Sequence, residues 1–192
     1  MSIVIQRSQD SAIAVARSCI TSLPKSETTK LLVKQAIVQL QAMSSSLAAL
    51  KQEMNVLAER LPEYPVVMGM FGVGPALGPQ LIAEIGDVRR FHSKKALVAF
   101  AGIDAPPYQS GQVDVRSRSI SKRGSSALRR TLFLVMSVYL QQSPEQEPIY
   151  QFMAKKRAEG KPYRVYMMAS ANKFLRVYYA TVKAHLEALN AA

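Results

Sequence analysis

Apolar residues recur with a 3-4 spacing over one long stretch of this chain. Val33, Leu40, Leu47, Met54 and Leu61 form one set, and Ala36, Met43, Leu50 and Leu57 the other. Nine positions in succession keep the spacing, about four heptads, which predicts one long helix. It should open near Ser26-Glu27 and close at Leu61, because Pro62 follows. At ~1.5 Å per residue such a helix is roughly 50 Å long. A lone apolar stripe must bury against something. The partner is a second chain in a coiled coil, a shorter helix expected over residues 10–22, or the chain's own core. The short helix would cover only part of the stripe, which favours a second chain.

Beyond Pro62 the pattern predicts a compact helical unit. Pro62–Gly86 reads as two short helices around the hairpin Gly72-Val73-Gly74, with Pro79 delaying or kinking the second. Ser93 should cap a helix through Phe100 that ends at Gly102. Residues 104–125 read as loop, with a small hairpin expected between Gln112–Val115 and Arg118–Ser121. Ser125 or Ser126 should cap a strongly apolar helix, followed by helices over about 149–158 and 162–189. The reading is therefore mainly α, divided into a helical coiled-coil segment over 1–61 and a compact unit over 62–192. The aromatic and Met residues of the last helix recur at helical spacing and read as core.

Tyr64 to Ala83 carries no charge for twenty residues, the length of a membrane span. Three prolines and four glycines inside it break any continuous helix, so a membrane reading is rejected. No secretory leader is seen in MSIVIQRSQD. Cys19 is the single cysteine, which excludes an intrachain disulfide and fits a reducing cytoplasm. His92 and His185 have no ligand spacing around them.

Charge adds a sign to this picture. The net charge is +12, and residues 111–192 carry 14 Lys/Arg against 5 Asp/Glu. Residues 62–110 are balanced, with 4 of each. Such a focus points to a polyanion, and nucleic acid is the default partner.

Two segments concentrate the candidate chemistry. The Gly72-x-Gly74 turn between two helices resembles a helix-hairpin-helix element, in which glycines let backbone N–H groups approach phosphates without reading sequence; the alternative is a tight αα-turn. The segment Tyr108–Arg130 holds Arg116, Arg118, Lys122, Arg123, Arg129 and Arg130 against one acid, Asp114. Guanidinium groups at that density suit a phosphate backbone, and the helix start at Gly124-Ser125-Ser126 also favours anions. Ser110 lies just upstream. A serine hydroxyl needs a base, a metal or a field of cations to become a nucleophile. The cations are close in sequence and a base is not, so the residues by themselves read Ser110 as a turn serine. No carboxylate cluster has metal spacing, so no cofactor is expected in this chain.

Four stretches in order, PEYPVVMGMFGVGPALGPQLIAEIGDVRRF, KKALVAFAGIDAPPYQSG, ISKRGSSALRR and KKRAEGK, closely resemble the C-terminal transposase domain of the insertion-sequence one-ten family, the DEDD-type serine transposases. The resemblance covers about residues 60–185, and residues 25–61 look like the coiled-coil segment that precedes that domain. It implies a DNA-binding domain whose serine, matched here by Ser110 before Gly111, attacks DNA to form a phosphoserine linkage during strand exchange. It also implies oligomers on DNA, in some members a structured guide RNA, and Mg2+ held by four acids of an N-terminal RuvC-like domain. No residue here matches those acids, and residues 1–25 contain only Asp10. The chain is therefore expected to be a shortened reading frame, an isolated domain or a decayed element, inactive without a RuvC-like partner.

The resulting expectation is the serine-bearing, DNA-binding part of a transposase or site-specific recombinase, in the bacterial cytoplasm and homo-oligomeric through the coiled coil. The alternatives are a non-catalytic DNA-binding and oligomerisation fragment, or an accessory protein that binds branched DNA.

Overall fold

The computed structural model describes residue 24, residues 26–105 and residues 119–191. It also describes the backbone of 109–110 and 113–114. The expected 10–22 helix lies outside the described residues, as do Arg116 and Arg118. The fold is mainly α. In chain order the elements are α1 (Glu27–Glu59), α2 (Tyr64–Met68), α3 (Gly78–Ile85), a 3₁₀ turn (Val88–Arg90), α4 (Lys94–Phe100), β1 (Gln109–Ser110), β2 (Val113–Asp114), α5 (Ser126–Gln142), α6 (Pro148–Ala158) and α7 (Tyr163–Ala191).

Close packing divides the chain into two units, Met1–Ala49 and Leu50–Ala192. Helix α1 is continuous over 33 residues, as the heptad predicts, and Ala58 is its only buried residue. The heptad stripe stays exposed: Leu40 at 66%, Leu47 at 53%, Leu50 at 68% and Leu57 at 52%. Within the second unit Leu50 and Leu57 are exposed and Met54 is half-buried.

The second unit is built around α7. Its buried residues, Tyr166, Ser170, Phe174, Tyr178, Val182 and Leu186, follow a four-residue step. With Met167, Ala171, Leu175 and Tyr179 beside them they make a wide apolar face. That face packs on α6, α4, α5 and α2. Ser170 is buried among them without penalty, because its hydroxyl donates to Tyr166 O at 2.8 Å. Tyr179 Oη donates to Phe91 O at 3.0 Å, tying α7 to the 3₁₀ turn. Burial pushes the Tyr139 and Tyr178 phenols well above their ordinary value of 10.0, so both remain neutral in the core.

The helix ends follow local chemistry. Ser93 and Ser125 are N-caps, accepting from Ala96 N at 3.2 Å and from Leu128 N at 3.1 Å. Helix α3 starts at Gly78 with Pro79 in its first turn, the delayed start foreseen for it. A short hairpin forms with Gln109 opposite Asp114 and Ser110 opposite Val113. The expected pairing was Gln112–Val115 with Arg118–Ser121; Gln112, Val115 and Arg118 lie outside the described residues, and residues 119–121 are not strand. Two residues, Gly111 and Gln112, separate the short strands, whereas the expected register needed a turn at Arg116-Ser117 with no glycine in it.

Candidate nucleic-acid interface

The base of the loop that carries Ser110 is a stem of paired backbone. Ser121 N donates to Asp104 O at 2.8 Å, Lys122 N to Gly102 O at 3.0 Å and Ser125 N to Phe100 O at 2.7 Å. Two glycines make this approach possible. A side chain at Gly124 would collide with the Phe100 carbonyl, and one at Gly102 would lie 2.7 Å from both Gly124 N and an Arg129 Nη1. Gly102 also has φ +66. Lys122 adopts φ +56, uncommon for a residue with a side chain, and its pairing to Gly102 holds it there. A further hydrogen bond runs from Ser121 Oγ to an Asp104 carboxylate oxygen. At the other side Ser125 Oγ donates to Glu84 Oε2 at 3.2 Å.

Arg129 completes the stem. Its Nη1 donates to Ala101 O at 3.0 Å, Gly124 O at 3.3 Å and Ser125 O at 3.4 Å. The guanidinium neutralises the carbonyl end of α4 while bridging to the start of α5. Arg129, one of the cations expected to meet phosphate, engages backbone carbonyls of the stem and also lines the cleft beside it.

Beside the stem lies a cleft of about 1120 Å³. Among the described residues six cations line it, Lys122, Arg129, Arg130, Arg164, Lys173 and Arg176, and no Asp or Glu does. Lys173 Nζ is tied to Pro148 O at 2.8 Å. Lys122, Arg130, Arg164 and Arg176 are exposed, and they form the rim. The floor is apolar, with Phe133, Phe152, Val165 and Met168 among its residues. A field of one sign over low-dielectric walls concentrates anions.

The sequence-derived candidates are thus separated. Lys122, Arg129 and Arg130 all line the cleft; Lys122 and Arg130 are exposed there, and Arg129 is partly buried against the stem. Arg123 is exposed but does not line the cleft. Gly72 has φ +77, and a side chain there would meet the Tyr139 ring at 3.1 Å and Val135 at 3.3 Å, so packing accounts for that glycine. Gly74 faces open space. Neither lines the cleft. Ser110 sits in β1, and the loop bearing it leaves from the stem that borders the cleft.

Arg164, Lys173 and Arg176, the α7 wall, escaped the sequence reading. A signal existed. Arg164, Met168, Asn172 and Arg176 step by four along a helix otherwise read as core, which puts them on one face. The side chains whose titration is clearly displaced lie elsewhere. The Arg89 guanidinium and backbone lower Asp87, and Lys156 lowers Glu159. Among the described residues no group of three or more His, Cys, Asp or Glu is placed to hold a metal. None of the described helices is long and apolar enough to cross a membrane.

Stem, hairpin and α5 wall fall within one matched segment. Residues 64–151 match the transposase IS116/IS110/IS902 family. The chain is also 29% identical over 149 residues to the pilin gene-inverting protein of Moraxella lacunata, covering 77% of this chain and 44% of that protein. The Moraxella bovis protein of the same name gives the same identity and coverage. The transposase for insertion sequence element IS1111A of Coxiella burnetii is 32% identical over 82 residues, 43% of this chain and 22% of that protein. The chain therefore spans less than half the length of these relatives. The transposase match runs from α2 into α6 and stops before the α7 wall of the cleft.

Proposed function

We propose that this chain works in DNA transposition or site-specific recombination, as the part of a transposase that grips DNA and presents Ser110. The observation that supports this most is the cation-lined cleft beside the loop stem, within and next to a segment similar to transposases. Lys122, Arg130, Arg164 and Arg176 hold phosphates without reading bases. The stem fixes where the Ser110 loop leaves the domain. In the reaction, Ser110 Oγ bonds to phosphorus as the bond to the leaving sugar oxygen breaks. The hydroxyl proton ends on that oxygen, and the phosphoserine ester conserves the bond for rejoining. The described residues do not fit the Mg2+ that the family resemblance implies, since no three of their His, Cys, Asp or Glu side chains converge.

The exposed heptad of α1 supports a homo-oligomer, with Leu40, Leu47, Leu50 and Leu57 forming the seam. Leu47→Glu should lower the mass in solution to that of one chain; an unchanged mass would reject the seam. A structured guide RNA is a second polyanion suited to the same cleft. The setting in this reading is the bacterial cytoplasm, where the DNA lies.

The same exposed stripe also favours a second reading, a binding and oligomerisation unit with no chemistry of its own. The two readings part on supercoiled DNA with Mg2+ and a RuvC-like domain supplied. A covalent DNA adduct that disappears in Ser110→Ala, with binding intact, supports catalysis. Equal recombination by Ser110→Ala removes it. Preference for branched over linear duplex would instead favour an accessory role.

A further inference from the structure

We propose that the cleft receives unpaired nucleotides, with bases against its floor and phosphates along its rim, rather than the outside of a duplex. This rests on reading the cleft as a nucleic-acid interface and names the form of nucleic acid it takes.

A duplex keeps its bases stacked inside and offers a flat protein surface only phosphates and sugars. A basic surface alone would serve it, and an apolar floor would have nothing to bury. An unpaired strand carries a π-face beside every phosphate, so it needs cations and an apolar floor together. The cleft has both. Phe133 and Phe152 line it with Val165 and Met168, below the exposed Lys122, Arg130, Arg164 and Arg176.

The rings are held in place before any ligand arrives. Phe133 meets Tyr163 edge-on at 6.0 Å, and Tyr163 meets Tyr166 at 5.5 Å. Phe152 has Lys173 Nζ 5.0 Å and Lys156 Nζ 5.6 Å from its ring centre. Lys173 is itself fixed by the Pro148 carbonyl. Pre-ordered rings lose little freedom on stacking a base. At about 1120 Å³ the cleft exceeds the roughly 300–1,000 Å³ typical of a site for one drug-sized ligand. It has room for more than one base. Such nucleotides come from a displaced DNA strand or from an RNA loop.

The experiment is fluorescence anisotropy on the full chain with three labelled probes of equal length: oligo-dT, oligo-U and a mixed-sequence duplex. At one salt concentration at least one single strand should bind about tenfold more tightly than the duplex. Tighter oligo-dT points to a displaced DNA strand, and tighter oligo-U to RNA. Phe152→Ala should weaken the favoured strand about tenfold and leave both its salt slope and the duplex affinity unchanged. Val165→Glu, at a half-exposed floor position, should weaken it as much without lowering the melting temperature, which covers the case in which Phe152→Ala fails to fold. Equal binding of strand and duplex, or indifference to both floor variants, overturns the proposal while leaving the cleft a duplex site. Failure of all three probes to bind would instead reject the underlying nucleic-acid reading.

Discussion

Arg129 and Arg130 are neighbours in sequence and belong to different regions of the molecule. Arg129 is partly buried in the loop stem and donates to three backbone carbonyls. Arg130 is exposed on the cleft rim with Lys122, Arg164 and Arg176. The stem is held by short backbone distances and has no slack. Arg130, Arg164 and Arg176 are held by helix geometry and Lys122 by its backbone pairing to Gly102, and all four leave their charges to solvent. A run of cations in sequence therefore mixes two kinds of residue: some that hold the loop in shape, and some that leave their charge to solvent.

The comparison is broken most severely at Gly124. A methyl group there must push apart the Phe100 carbonyl and Gly102, and both are backbone. Gly124→Ala should cost about 3 kcal/mol in chemical denaturation and reduce recombination together with stability. A near-neutral result would mean that the stem is not closely paired.

Arg129→Ala comes next, at about 2 kcal/mol, because it leaves the Ala101 carbonyl without its charged donor. Arg129→Lys should recover little of this, since a point charge does not replace a planar fork. Neither substitution should alter how nucleic-acid affinity depends on salt. If Arg129→Ala flattened that dependence, Arg129 would belong with the rim.

A smaller effect is expected where side chains merely reinforce the stem. Ser121→Ala removes one side-chain hydrogen bond to Asp104 and should cost about 1 kcal/mol in the same denaturation measurement. The backbone pairing of Ser121 to Asp104 survives that substitution.

How much of this was legible beforehand differs between the two regions. The helices were, because their signals are local: the heptad of α1, Ser93 and Ser125 as caps, and Pro79 at the start of α3. The stem was legible only as glycines at helix ends. Gly102 was read as a C-terminal stop, and nothing in the sequence shows that Gly124 packs against it across a loop of twenty-one intervening residues. The rim was half legible. Lys122 and Arg130 stood out by local charge density. Arg164 and Arg176 are twelve residues apart on a helix whose apolar face dominated the pattern, and they reach the cleft only because α7 packs against α5. The hairpin was expected later in the sequence than the pairing of Gln109 with Asp114 and Ser110 with Val113, because short polar strands carry no apolar alternation to fix their register.

The central claim is that the exposed helix cations of the cleft bind nucleic acid and the stem contacts of Arg129 do not. The measurement that tests it most directly is the salt dependence of nucleic-acid affinity for the triple variant Arg130→Glu, Arg164→Glu, Arg176→Glu. Its melting temperature should match that of the unmodified chain, because all three side chains are exposed. The slope of log affinity against log salt should fall in magnitude by about 2, with affinity lowered by at least a hundredfold in dilute salt. A folded triple variant with unchanged slope and affinity would contradict the account.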